Sequence, residues 1–395
     1  MRITHFIWFN CPDIKFMRKM ISLIWVKRLE NRMLSEDIIS KAETDLEKKR
    51  SVVKRCDKNN KRVLKAKRQA NHIIQEFYSE LDEEEKDNLY LDILFCFFAY
   101  GFQPDEYHFF QLKNKSMQER TSYVSDVERN IYMLKMNDVC EGEVFLNKSK
   151  TYQYYKPYYK RDALAINSSC KYSSFSNFVD KHPVFVKKNV DLSKGDGVEL
   201  IDIRKVGMSR EEYFNKLKYS NLYQIEEKIN QSKVMSDLNP SSVNTIRCNA
   251  FVTKNGVKVA FAFLKVGREG TFVDNAGKGG IIANIDVRTG KINTDGFDEN
   301  DNTYKVHPES GVVFYDFQLP EWENVLQLCE EITPMIKGIQ AIGWDLAYTD
   351  DGWVIVEGNL FSQFVCPQIA CERGLKKEWL AVMQDMELRI YNDVK

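Results

Sequence analysis

Two acids sit near the end of the chain where core strands should be apolar. The stretch "IGWDLAYTDDGWVIVEGN" (342–359) holds two alternating, β-rich runs around Asp350-Asp351-Gly352, which predicts a hairpin. With those three residues in the loop and Gly352 left-handed, Thr349 faces Trp353, Ala347 faces Ile355, and Asp345 faces Glu357. Opposed residues lie ~5 Å apart at Cβ on one face. Asn359 follows two residues after Glu357 and shares that face. Like charges so placed repel, and the pattern therefore calls for a cation between them. Two carboxylates and an amide oxygen are hard ligands that suit Mg²⁺ held partly by substrate phosphates. A two-residue loop makes the pairing diagonal. A surface hairpin with scattered acids facing water is the structural alternative.

A second set of residues has the chemistry to hold a polyanion. In "PVFVKKNVDLSKGDGVELIDI" (183–203), a strand ends in Lys187 or Lys188, and a loop with Ser193, Gly195 and Gly197 leads to another strand. Backbone N–H groups of such a loop can cradle phosphate oxygens, and a lysine supplies the point charge. Neither GxxxxGK[ST] nor GxGxxG is present, and a plain glycine-bearing hairpin fits the same letters. "YQIEEKI" (223–229) reads as a strand with two acids. "NTIR" places Arg247 in an apolar strand, Arg268 ends the next one, and "FVDNAGKGG" adds Asn275 and Lys278 in a loop. Together these groups could neutralise charge developing in phosphoryl or acyl transfer. Taken singly, strand arginines usually pair with surface acids.

The elements that must position them follow from pattern. Residues 1–88 read as helical, without a glycine and with Pro12 as their only proline. A basic run from Lys41 to Arg68 is poor in apolar residues, as a solvated helix face is. A helix start is expected at Ser79 to Asp82. From Phe145 strand-like runs appear, and Asn255-Gly256 marks a hairpin. "SREEYFNKLKYSN" (209–221) is a helix with a Ser209/Glu212 capping box, and "PEWENVLQLCEEITPMIKG" (320–338) is a helix ending near Pro334. Antiparallel strands with interspersed helices predict an α+β fold.

Bulk composition excludes some classes. Lys+Arg and Asp+Glu are both 57, so no global charge points to nucleic acid or a membrane surface. Nine cysteines without CxxC read as reduced thiols in a cytoplasmic protein. The five histidines form no zinc-type cluster. No apolar run reaches the ~20 residues of a membrane-spanning helix, and no signal peptide is evident. The basic N-terminal helix is expected to pack on its own protein, with peripheral membrane contact as the alternative.

The ordered set of strand-lysine-glycine loop, acidic segment, arginine strands and final D…ExN resembles the ATP-grasp superfamily, above all its sugar-transfer associated branch. The resemblance runs from about Leu89 to Leu388 and is most specific in "SVNTIR", "VDNAGKGG" and the final hairpin. It implies two α+β subdomains clamping ATP between antiparallel sheets, with a helical extension at residues 1–88. The ATP-grasp unit would span 89–395, with a lid at about 166–230 and a metal-binding half at about 231–395. The resemblance assigns metal to Asp345, Glu357 and Asn359, phosphate to Lys187 and the loop 193–197, and the hinge to Glu226, Glu227 and Ile229. "FLNKSKTY" resembles the family's Asp-Lys element, with Lys148 as lysine and Asn147 in the acid's place. The activity so implied is ATP- and Mg²⁺-dependent ligation of a small-molecule carboxylate to an amine, on an acceptor linked to cell-surface polysaccharide. Arg247, Arg268 and Lys278 would stabilise the transferring group. A phosphotransferase and a non-catalytic ATP-binding scaffold are the alternatives.

Overall fold

The structure is a computed structural model that describes residues 15–138, 140–190, 197–220, 223–300 and 302–386. The chain divides into two compact units. One comprises Met1–Cys140 with Gln363–Lys395, and the other Glu141–Ser362.

The first unit is helical among its described residues. The basic run of the sequence lies on helices Leu46–Cys56 and Lys61–Phe77, which bury Val52, Val53, Val63, Ala66, Ala70, Ile73 and Ile74 and leave most of the charges outward. Helix Glu83–Ala99 starts at Asp82, whose Oδ1 accepts from Glu85 N (2.8 Å) while Glu85 Oε2 accepts from Asp82 N (3.1 Å). That reciprocal cap satisfies two otherwise orphan donors and sets the start at Asp82 rather than Ser79. The residue-88 boundary read from the sequence falls inside this helix. The N-terminal helix Lys15–Glu30 buries Ser22, Val26 and Leu29, and Glu30 pairs with Lys135 at 2.9 Å. Among the described residues no helix is long and apolar enough to cross a membrane.

The second unit holds two antiparallel sheets. The smaller comprises β1 (Ala163–Ile166), β2 (Val184–Asn189), β3 (Val198–Asp202) and β4 (Tyr223–Glu227) in the order β1-β4-β2-β3. Its outer face carries Phe185 and Ile225, which pack with Ile166, Phe175, Val179, Phe214 and Leu217. Helices Tyr172–Lys181 and Arg210–Ser220 supply the last four of these, and the second helix has the expected Ser209/Glu212 cap.

The larger sheet is built on β5 (Thr245–Thr253), β6 (Gly256–Val266), β7 (Ile281–Asp286), β8 (Lys291–Ile292), β9 (Gly296–Phe297), β10 (Thr303–Tyr304), β11 (Ala341–Thr349) and β12 (Gly352–Asn359). The order is β10-β9-β7-β6-β5-β11-β12, with β8 on β7. Alternate residues such as Ile246, Cys248, Leu264, Trp344 and Leu346 form one core with Val325, Cys329 and Ile332 of helix Trp322–Ile332. Each fully buried large apolar side chain contributes roughly 2 kcal/mol. That helix ends at Ile332, and a 3₁₀ turn containing Pro334 follows. The opposite face of the same strands carries Thr245, Arg247, Lys265, Asp345 and Glu357, because a strand's side chains alternate.

Candidate functional site

The final hairpin reaches the expected opposition by a different route. Thr349 pairs with Gly352, Tyr348 with Trp353, Ala347 with Val354 and Leu346 with Ile355. The expected Thr349–Trp353 and Ala347–Ile355 pairs are therefore displaced by one residue. Beyond Leu346 the register shifts, Val356 is left without a partner, and Asp345 faces Glu357. Gly352 does adopt the left-handed conformation, at φ 88°. Without the bulge Glu357 would face Trp344 on the core side. With it, one extra residue returns the acid to the polar face. Gly358 then faces Trp344, and a Cβ there would stand 2.8 Å from the indole and 2.9 Å from Phe145. The packing thus requires the smallest residue between Glu357 and Asn359.

The charges around Asp345 correct a second expectation. Arg247, its register partner on β5, donates through Nε to Oδ1 (2.7 Å) and through Nη2 to Oδ2 (2.6 Å). Lys265 Nζ lies 3.2 Å from Oδ2, and Asn359 Nδ2 donates to the same oxygen at 3.4 Å. Burial pushes the Asp345 carboxyl up, but Arg247 and Lys265 outweigh it and hold it below the usual range. The Asp345–Glu357 pair is therefore tolerated because the protein supplies its own cations, without need of a metal. Lys148, at the start of helix Lys148–Tyr159, lies 3.6 Å from Glu357 Oε1.

The donor set nonetheless fits a divalent cation. The Glu357 side chain is 36% exposed, Asp345 Oδ1 accepts from Arg247 Nε and has a second lone pair, and the Asn359 amide turns its nitrogen to Asp345 and keeps its oxygen for another partner.

On the small sheet the two lysines part company. Lys187 shares the outer face with Phe185, pairs with Glu199 at 2.8 Å and lies 4.9 Å from the Tyr223 ring. Lys188 occupies the inner face with Gln224 and Glu226, and its Nζ donates to Glu226 Oε2 at 2.8 Å. Arg161 Nη2 and Nε donate to that same oxygen at 2.7 and 3.0 Å, and Gln224 Nε2 donates to Oε1 at 2.8 Å. Burial raises the Glu226 carboxyl, yet Lys188 and Arg161 together bring it down to about 2. Burial also pushes the Lys188 ammonium down, against the pull of Glu226. The Glu226 carboxylate is thus consumed by protein donors. Glu227, half-buried, accepts from Asp162 N at 3.0 Å, and Ile229 follows the end of β4.

The remaining candidates separate. Arg268 Nε donates to Glu309 Oε1 at 2.7 Å and its guanidinium lies 5.6 Å from the Tyr304 ring. Asn275 Oδ1 accepts from Gly277 N (3.2 Å) and caps the short turn Ala276–Lys278 that carries Lys278. Gly197 is left-handed at φ 71°, and its carbonyl accepts from Asn189 N at 3.3 Å. Ser193 and Gly195 lie outside the described residues.

Sequence reasoning passed over Lys265, Asp274, Arg161 and the inward role of Lys188. Asp274 is half-buried, accepts from Thr245 N at 3.0 Å and from the Thr245 hydroxyl, and lies 3.7 Å from Lys265. Burial pushes its carboxyl up despite that lysine. Period-two counting from Thr245 along paired strands would have found Lys265, which stands opposite it.

Two α+β layers whose inner faces carry a buried lysine-glutamate pair and an acid hairpin define a protein of the ATP-grasp class. Within that class the chain belongs to the sugar-transfer associated ATP-grasp family, whose model matches residues 128–384. No curated protein matches the chain. Among solved structures, D-alanyl-alanine synthetase A from Vibrio cholerae is similar at 12% identity and TM-score 0.39, covering 62% of this chain and 66% of that one. The D-alanine-D-alanine ligase from Coxiella burnetii is similar at 12% identity and TM-score 0.36, with coverages of 64% and 60%. The ATP-grasp ligase PsnB, complexed with a minimal precursor, is similar at 9% identity and TM-score 0.38, with 63% of each chain covered. The chain spans less than two thirds of the length of each of these structures.

Proposed function

We propose that the protein is an ATP- and Mg²⁺-dependent ligase that joins a small-molecule carboxylate to an amine, on a sugar-linked acceptor, a reading suggested by the sugar-transfer association in its family's description. ATP is the substrate that activates the carboxylate. A carboxylate oxygen attacks the γ-phosphorus, the bond to ADP breaks, and an acylphosphate forms. The amine nitrogen then attacks the acyl carbon, phosphate leaves, and the amine gives up a proton. No covalent enzyme nucleophile is required, only positioning and charge neutralisation.

The observation that carries the reading is the gathering of Asp345, Glu357 and Asn359 with Arg247 and Lys265 on one sheet face, met there by Lys148 from its helix. A divalent cation held by Asp345, Glu357 and Asn359 would supply charge neutralisation on the phosphates. Lys148 and Lys188 would meet phosphate oxygens, together with the loop 193–197. Arg247 and Lys265 would face the transferring group, with Arg268 and Lys278 at the rim. The hinge would hold adenine through backbone groups of 227–229, with Glu227 rather than Glu226 for the ribose hydroxyls. In domain terms the lid is proposed at about 166–230 and the metal-binding half at about 231–395.

The test is ADP release from Mg-ATP in the presence of a panel of carboxylates, amines and amino sugars. Glu357→Gln should abolish release while leaving the melting temperature in place. Full turnover by that variant overturns the proposal. A phosphorylated acceptor in place of amide plus phosphate would redirect it to a phosphotransferase.

A further inference from the structure

We propose that Arg161 is a positioning residue for Glu357, acting through the bulge of the final hairpin. This rests on the reading of Glu357 as a metal ligand. Arg161 directly precedes Asp162 and β1, and its side chain is 4% exposed. Its guanidinium makes contacts on both sheets. Toward the small sheet, Nε and Nη2 grip one oxygen of Glu226. Toward the large sheet, Nη1 donates to the carbonyl of Ile355 at 2.6 Å, and it also donates more weakly to Tyr159 O, at the end of helix Lys148–Tyr159, at 3.3 Å. The Tyr159 ring lies 4.6 Å from the guanidinium carbon and supports it from one side.

Ile355 is the last residue of β12 in regular register before Val356 drops out. The bulge decides whether Glu357 or Val356 faces Asp345, so whatever fixes it fixes a ligand. A bulged strand loses part of its ladder and gains freedom to slip by one residue. A charged donor on the carbonyl beside the bulge removes that freedom. Arg161 is itself held by the buried Glu226, which also holds Lys188. The strut thus ties the hinge side of the site to the phase of the metal hairpin. Lysine could occupy either the Glu226 or the Ile355 end, but it lacks the fork needed for both.

The experiment compares the full chain with its Arg161→Lys variant. Binding of Mg²⁺-ADP and of ADP in EDTA is measured by calorimetry, and amide exchange is followed at residues 355–357. The expected result is about tenfold weaker Mg²⁺-ADP binding, as for loss of an outer partner of a metal ligand, with ADP in EDTA unchanged and faster exchange at the bulge. A uniform loss for both ligands, or wild-type exchange at 355–357, overturns the proposal. If the wild type binds ADP equally with and without Mg²⁺, the metal reading of the hairpin fails, and unchanged exchange at the bulge then sinks the strut as well. Should Arg161→Lys not fold, Tyr159→Leu removes the supporting ring alone. The same selective loss, smaller in size, is expected, and an unselective one counts against the strut.

Discussion

Lys187 and Lys188 are neighbours in sequence and serve opposite faces of one sheet. Lys187 meets Glu199 and the Tyr223 ring outside, and Lys188 meets Glu226 inside. Alternation along β2 forces the separation, so only Lys188 shares the inner face on which the nucleotide is proposed to lie. Lys188→Met should weaken ATP binding about tenfold or more, which corresponds to ~1.4 kcal/mol. Lys187→Met should leave it nearly unchanged. Calorimetry on the two variants decides, and the reverse ranking removes Lys188 from the site.

The Glu226 carboxylate gives the fold a pH signature. Its pKa falls from an unfolded value of 4.5 to about 2, so the ion cluster stabilises the protein fully above pH 4.5. That contribution is lost as pH falls from 4.5 toward 2. Removing one partner of such a buried pair costs about 3 kcal/mol. Urea unfolding of Glu226→Gln should show that deficit at pH 7 and a shrinking one below pH 4.5. A deficit independent of pH would mean the carboxylate is not charged in the fold.

Asp345 and Glu357 should differ in what they do for stability. Asp345→Asn leaves Arg247 and Lys265 facing an uncharged group and should cost about 3 kcal/mol. Glu357, with Lys148 at 3.6 Å and a third of its side chain exposed, should tolerate Gln within about 0.5 kcal/mol. Denaturant midpoints of the two variants test this, and equal losses contradict it.

Gly358→Ala should cost about 1–3 kcal/mol through overpacking against Trp344 and Phe145. Its melting point, measured without ligand, is the check. A neutral outcome would show that the indole can retreat.

Much of this was legible because strand chemistry is local. Alternation placed Asp345, Glu357 and Asn359 on one face, and the Gly352 turn was readable from its letters, whereas Arg247 joins that face through the pairing of β5 with β11. The hairpin register was not, because nothing in "GWVIVEGN" marks Val356 as the residue that leaves the ladder. A turn longer by one residue and a one-residue bulge produce the same opposed acids. Arg161 and Asp274 stayed hidden for another reason. Each acts through a partner far away in sequence, Glu226 with Ile355 for one and Thr245 for the other, and such meetings follow from tertiary packing. The choice between Lys187 and Lys188 needed only the strand's phase, which Phe185 in the outer core supplies.

The neutralisation of Asp345 by Arg247 and Lys265 carries one more consequence. If the hairpin holds a metal as proposed, its assembly does not wait for that metal, so chelator-treated protein should keep its native near-UV dichroism and its solubility. On the proposed reading, a newly made chain would finish its architecture before any magnesium arrived.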